Sequence, residues 1–208
     1  MSIVYVVNHP LLEHSLSRLR DKKTGTEEFR RHASIVSQIM IMEATKNLAL
    51  EDNPIETPLS PMKGSKVKEG LVFVPVLRAG ISMLFPARDF LPWASVGFIG
   101  LERDEETAIA RQYYQKFPQN LEDKKVLVLD PMLATGGSLV DTISALYKKR
   151  ANDICVVCIV AAPEGIQTLK DHFRDITIYT AAVDSHLNEN KYIVPGLGDF
   201  GDRYFGTT

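Results

Sequence analysis

From residue 71 onward, short apolar runs rich in Val, Ile and Leu alternate with stretches of helical periodicity. Runs at 71–77, 95–101, 125–130, 154–162 and 175–182 are predicted as strands, and the stretches at about 80–90, 137–150 and 163–173 as helices. Continuously apolar strands alternating with helices indicate a parallel sheet covered on both faces. The predicted fold class is α/β, an open, mainly parallel sheet with helices on both faces. Ligands in such sheets bind beyond the carboxyl ends of the strands. The residues just after each run are therefore the ones to inspect for chemistry.

Before residue 71 the pattern differs. Residues 4–7 read as a short edge strand and 11–20 as a short helix broken near Gly25. The next helix is predicted to reach about Leu50, with Thr24 or Thr26 as its cap and Glu27 and Glu28 at its positive end. Ala33, Val36, Met40, Ala44 and Leu48 form one apolar face, and Ile35, Ile39 and Met42 a second. A helix apolar on two faces is buried on two sides, and one of them is expected to be a subunit contact. Residues 53–70, rich in Pro and charge, read as loops with room for a short ribbon.

Composition narrows the class. The 208 residues favour one domain, and 45% apolar with 24% charged residues is ordinary for a soluble globular protein. The longest apolar run, from Ile154 to Ala162, falls far short of the roughly 20 residues that span a bilayer. The first ten residues lack the basic start and long apolar stretch of a signal peptide. A net charge of −2 argues against broad binding to a phosphate backbone. The expectation is a cytoplasmic protein with no membrane and no nucleic-acid partner. Cys155 and Cys158 have redox or zinc spacing but lie within a predicted strand, where i and i+3 point to opposite faces. Two buried thiols in a reducing compartment are expected.

The strongest constellation is Asp130-Pro131-Met132-Leu133-Ala134-Thr135-Gly136-Gly137-Ser138. A buried strand ends in an acid, a short turn with two glycines follows, and a helix begins at about Ser138. The first turn of a helix has free N–H groups and a positive dipole end, which suits a phosphate. Thr135 and Ser138 add hydroxyls, and Asp130 can accept from sugar hydroxyls. The plain alternative is that Asp130 ends the strand and Ser138 merely caps the helix. No P-loop pattern occurs anywhere in the chain.

Two cations also follow predicted strands: Arg78, beside Ala79 and Gly80, and Arg103, in a charge-rich stretch that reads by default as a solvated loop. The segment Ala162-Pro163-Glu164-Gly165 suits a helix start and is assigned no chemistry. Near the C-terminus, Gly196, Gly198 and Gly201 spell a Gly-x-Gly-x-x-Gly. No helix and distal acid can follow to complete a dinucleotide unit. The physical reading is a glycine-rich hood whose backbone groups match the edge of a flat base, a design that rejects analogues leaving its groups unpaired.

The Asp130–Ser138 segment resembles the ribose-5-phosphate loop of phosphoribosyltransferases, with Pro131 where many members carry a second acid. Together with Tyr192-Ile193-Val194-Pro195-Gly196-Leu197-Gly198-Asp199-Phe200-Gly201-Asp202, it resembles the uracil phosphoribosyltransferase family in particular. The match covers most of residues 70–208 and is weaker before that. The resemblance implies one phosphoribosyltransferase domain over 1–208, with a protruding arm at about 102–120 and a base-binding hood at about 184–208. It implies pyrimidine salvage: transfer of the phosphoribosyl group of phosphoribosyl pyrophosphate (PRPP) to uracil, giving UMP and pyrophosphate. Arg78 and Arg103 would meet the pyrophosphate, the Arg78 loop being held in related enzymes by a cis peptide without proline. Asp130 would hold the ribose hydroxyls, and residues 134–138 the 5′-phosphate. Pro131, Met132 and Leu133 complete the implied PRPP site. Ile193, Gly198 and Phe200 would contact uracil. Asp199 would lie between base and PRPP, acting on the nitrogen proton or helping to organise Mg²⁺. The implied Mg²⁺ is held mainly through PRPP rather than by protein ligands, GTP is a candidate activator, and a homo-oligomer, dimer or higher, is implied. In the arm, Glu102 stands where an aromatic residue is expected, and residues 108–111 lack the family's proline.

Two alternatives stay open at this point. A nucleotide- and RNA-binding regulator would keep the fold without the reaction, and the net charge weighs against it. A purine substrate would need a wider, differently paired pocket.

Overall fold

The computed structural model describes residues 3–68, 70–103 and 110–207, with the backbone alone for 102, 103 and 110–112. The chain begins with β1 (Ile3–Val6), α1 (Pro10–Arg20), α2 (Thr26–Thr45) and a hairpin of β2 (Leu50–Glu56) and β3 (Pro61–Val67). The α/β part follows: β4 (Gly70–Leu77), α3 (Ile81–Phe90), β5 (Ser95–Val96), β6 (Phe98–Arg103), β7 (Ala110–Lys116), β8 (Lys124–Leu129), β9 (Met132–Leu133), α4 (Gly137–Lys148), β10 (Asp153–Ala161), α5 (Pro163–His172) and β11 (Thr177–Val183). The chain closes with β12 (His186–Leu187), β13 (Ile193–Val194) and α6 (Phe200–Phe205).

The main sheet runs β1-β11-β10-β8-β4-β6-β7, parallel throughout except for the antiparallel β6–β7 pair. Its inner strands alternate between two cores with the period of two that a pleated strand imposes. Phe73, Leu127, Leu129, Cys155, Val157 and Ile159 face α1, α2, α3 and α6. Val72, Val74, Val126, Val128, Val156 and Cys158 face α4 and α5. The two cysteines thus point to opposite faces, free and buried, as their spacing on a strand requires.

β4 leads through α3 to β6 on one side, whereas its other neighbour, β8, leads through α4 to β10. The chain therefore turns away in both directions between β4 and β8. The loops after these strands diverge and leave a crevice there.

Several local expectations are corrected. α2 stops at Thr45, not Leu50, because Leu50 opens the hairpin. Its N-cap is Gly25 in extended backbone, without a side-chain cap. The Thr24 hydroxyl instead donates to the Arg18 carbonyl at 2.7 Å. Residues 53–70 are mostly strand, in a two-stranded ribbon registered from Leu50↔Val67 to Glu56↔Pro61. The second apolar face of α2 is covered only in part by the described residues: Met42 is exposed, Ile35 is half-buried, and Ile39 is half-buried against the core. Helix α4 starts at Gly137, so Ser138 lies inside the first turn rather than capping it. The hood ends in a short helix, α6.

Candidate active site

The site is assembled from three pieces at the carboxyl ends of β4, β8 and β11. After β8, the chain crosses onto β10. The Pro131 carbonyl accepts from the Ile159 and Val160 amides at 2.9 and 3.1 Å, and the Leu133 carbonyl from the Ala162 amide at 2.8 Å. β9 then runs parallel to Val160–Ala161. These bonds fix where the glycine turn begins. Gly136 sits at φ 85° as the N-cap of α4, a left-handed conformation that suits glycine. Among the described residues no side chain caps α4, so its first-turn N–H groups remain for a ligand. Asp130, Met132, Leu133, Ala134, Thr135, Gly136, Gly137 and Ser138 enclose a cavity of about 150 Å³ over that turn.

Asp130 stands at its edge, partly buried. Removal from water pushes its carboxyl up to about 7, and the Met132 amide, 3.5 Å from Oδ1, offsets this only slightly. A carboxyl with this pKa is poised between a hydrogen-bond donor and an acceptor near neutral pH.

The second piece is the turn after β4. The Leu77–Arg78 peptide is cis, as the resemblance implies. Arg78 is exposed at the strand end, and Ala79 reaches the hood cavity described next. Arg103 ends β6, its backbone opposite Ala110, beyond the point where Leu77 pairs with Gly100. Its side chain and residues 104–109 of the expected arm lie outside the described residues.

The third piece is the hood. β12 and β13 pair antiparallel, and the Asn188 carboxamide accepts from the Tyr192 amide at 2.9 Å to close the turn between them. Ala79, Met132, Ala134, Asn190, Lys191, Tyr192, Ile193, Gly198, Asp199, Phe200 and Gly201 line a cavity of about 320 Å³. Four expected base contacts, Ile193, Gly198, Asp199 and Phe200, therefore share one wall. Met132 and Ala134 line both cavities, which adjoin. Phe200 is only 2% exposed, its ring packed edge-on to Phe29 at 5.1 Å. Asp199 is the N-cap of α6, one carboxylate oxygen accepting from the Asp202 amide at 2.9 Å.

Sequence reasoning missed several participants. Glu164, assigned no chemistry, accepts from the Leu187 amide at 2.9 Å and so tethers the hood to α5. That bond holds its carboxyl below the usual range. Asn190 and Lys191 line the hood cavity beside Tyr192 of the quoted motif. Arg20 from α1, Asp184 at the start of the hood and Arg203 in α6 hold the Gly196–Leu197 turn. Arg203 directly follows the quoted Tyr192–Asp202 segment, whereas no local pattern points to Glu164, Arg20 or Asp184.

A model of the uracil phosphoribosyltransferase family matches residues 6–207. The chain belongs to the uracil phosphoribosyltransferase family. The uracil phosphoribosyltransferase of Dictyoglomus thermophilum is 51% identical over 206 residues, covering 99% of this chain and 100% of that one. That of a Geobacillus species is 50% identical over 209 residues, covering both chains fully. Among solved structures, the AQ2163 protein of Aquifex aeolicus superposes with a TM-score of 0.93 at 36% identity, covering 99% of each chain. A hypoxanthine phosphoribosyltransferase of Staphylococcus aureus, at 13% identity and a TM-score of 0.50 over 75% of each chain, shares the fold. As a member of this family, the enzyme transfers the phosphoribosyl group of PRPP to uracil, giving UMP and pyrophosphate in pyrimidine salvage.

Proposed function

We propose that the two adjoining cavities divide this reaction between them, the whole chain acting as one phosphoribosyltransferase domain. The observation that supports this is their shared wall at Met132 and Ala134, because adjoining cavities suit a base and a 5′-phosphate joined by one sugar. In the smaller cavity, residues 134–138 hold the 5′-phosphate on the first turn of α4. Asp130 accepts from the ribose hydroxyls. In the larger cavity, the hood backbone around Ile193, Gly198 and Phe200 pairs with the edge of uracil.

In the chemical step the bond from ribose C1 to the pyrophosphate oxygen breaks, and a bond from C1 to the uracil nitrogen forms. The transition state has oxocarbenium character, as in glycosyl transfer generally. Little covalent chemistry falls to the protein; positioning and charge stabilisation dominate. Arg78 and Arg103 take the charge growing on pyrophosphate. The Asp199 carboxylate oxygen that does not cap α6 accepts the proton lost from the base nitrogen. Among the described residues no group of three or more His, Cys, Asp or Glu side chains could hold a metal ion. Asp130 in the smaller cavity and Asp199 in the larger would be the carboxylates beside an ion carried mainly by PRPP. Bound with PRPP, Mg²⁺ supplies positive charge against the leaving pyrophosphate.

A homo-oligomer is part of the proposal. The β2–β3 ribbon exposes Leu50, Ile55, Leu59 and Met62, and an isolated two-stranded hairpin is marginally stable in water. Together with the partly covered face of α2, these residues give a second copy two apolar surfaces to cover. The cytoplasm is the proposed compartment. Two free, buried thiols suit it, and among the described residues no helix is long and apolar enough to cross a membrane.

The test is a UMP-formation assay with PRPP and Mg²⁺, offering uracil, cytosine or hypoxanthine, with and without GTP. Turnover with uracil alone supports the assignment of the hood. Turnover with another base keeps the Asp130–Ser138 assignment and overturns that of the hood. Light scattering at micromolar concentration reads the assembly, and a monomer would count against the oligomer.

A further inference from the structure

Both polar groups of the Gly196 backbone are taken by side chains from outside the turn. Its N–H donates to Oδ2 of Asp184 at 2.8 Å, and its carbonyl accepts from Nη1 of Arg20 at 2.7 Å. The same two side chains grip each other. Arg20 Nη1 lies 2.8 Å from Asp184 Oδ2, and Nη2 lies 2.6 Å from Oδ1. Arg20 ends α1, and Asp184 directly follows β11. Asp184 is 9% exposed, so its charge depends on this partner. A two-pronged Arg–carboxylate pair fixes direction as well as distance, which a Lys–carboxylate pair does not.

The turn held in this way has no slack. Gly196 has φ 58°, and a Cβ there would lie 2.1 Å from the Ile193 carbonyl. Arg203 holds the other side. Its Nη1 donates to the carbonyls of Leu19 and Leu197, the latter at 2.6 Å, and its Nη2 donates to that of Asp21 at 2.7 Å. The Leu19 carbonyl, in the last turn of α1, and that of its C-cap Asp21 are thereby tied to the same turn. Among the described residues, the base-cavity wall includes neither Arg20 nor Asp184. It does include Ile193 and Gly198, which flank the turn they hold.

We propose that Arg20 and Asp184 are positioning residues of the base site, fixing the Gly196 turn so that the backbone from Ile193 to Gly198 meets the uracil edge in register. This rests on the assignment of the hood to uracil. The pair works through the turn and does not touch the substrate.

The test compares Asp184→Asn and Arg20→Lys with the parent enzyme, reading KM for uracil, KM for PRPP, kcat and Tm. Asp184→Asn keeps the shape but breaks the charged fork, and uracil KM is expected to rise roughly tenfold while PRPP KM moves by less than about twofold. Arg20→Lys, which keeps the charge without the fork, is expected to raise uracil KM less. Turnover of cytosine relative to uracil should increase in both. A lowered Tm with both KM values unchanged, or with both raised equally, overturns the positioning role. Gly198→Ala separates this from the underlying assignment. If Gly198→Ala raises uracil KM and Asp184→Asn does not, the positioning role alone fails. If neither does, the assignment of the hood fails and the positioning role falls with it. Should Asp184→Asn not fold, Arg20→Lys carries the comparison with the same two outcomes.

Discussion

A Cβ on Gly165 would lie 2.3 Å from the carbonyl oxygen of Ala134. Helix α5 is thus pressed against the loop assigned to the 5′-phosphate, and the obstacle to any side chain is backbone. The Gly165 carbonyl in turn would sit 3.0 Å from a Cβ on Gly136. Gly165→Ala must therefore push the phosphate loop and α5 apart. It is expected to cost about 1–3 kcal/mol of stability and to raise KM for PRPP more than KM for uracil. Thermal melts and paired KM measurements check this. An unchanged PRPP KM would show that the contact does not shape the phosphate site.

Asp130 gives a pH dependence of activity. Its carboxyl, raised to about 7 by burial, is largely protonated below that pH in the free enzyme and cannot accept from both ribose hydroxyls. kcat/KM for PRPP reports the free enzyme, and it should fall as pH drops through about 7. Asp130→Asn should lower activity and flatten that limb. A parent profile flat from pH 6 to 8 would contradict the assignment.

The same group gives a stability prediction with a defined sign. Its folded pKa of about 7 lies above the ordinary 3.8, so the folded state binds the extra proton between those values. Stability contributed by Asp130 therefore falls as pH rises through that window and is lowest above it. Asp130→Asn should be more stable than the parent at pH 8, and the difference should shrink toward pH 4. Tm measured across this range tests it; a constant difference would sink the linkage.

Phe200 separates core from contact. Its buried ring packs on Phe29 and stacks on Tyr204 at 6.0 Å. Phe200→Ala should cost roughly 3–5 kcal/mol. Phe200→Leu, which keeps apolar volume and the backbone, should melt earlier yet hold uracil KM within about threefold. A large rise in uracil KM in a folded Phe200→Leu would mean that the ring itself meets the base.

Cys155 and Cys158 should be inert in the native protein. Both thiols are buried, and burial pushes each up to about 12. The thiolate is the reactive form, so an aromatic disulfide reagent at pH 8 should label neither until denaturant is added. Rapid labelling of the folded enzyme would refute their burial.

Most of the α/β layer was legible in the sequence. The runs at 71–77, 125–130 and 154–162 carry their period in their own residues, as do the helices between them, and every such run is a strand of the main sheet. The Asp130–Ser138 turn was legible too, because a strand end, an acid and two glycines are adjacent in the chain. Legibility failed where neighbours in sequence left two answers open. Residues 46–50 continue the apolar spacing of α2, yet the helix stops at Thr45 and the ribbon begins at Leu50. Thr24 looks like a cap, yet its hydroxyl is claimed by Arg18 from the preceding helix.

What the sequence determined by itself is the set of elements and the chemical identity of the turns at their ends. These depend on interactions within a few residues, so spacing and side-chain type suffice to read them. Only the tertiary structure decided how those turns meet: that Ala79, Met132, Ala134 and the hood close on one cavity, and that the Phe200 ring is buried against Phe29. It alone paired Arg20 with Asp184 across 164 residues of chain. Such a pair leaves no periodic trace, because its energy comes from two charges brought together by a sheet and a helix that neither residue helps to specify.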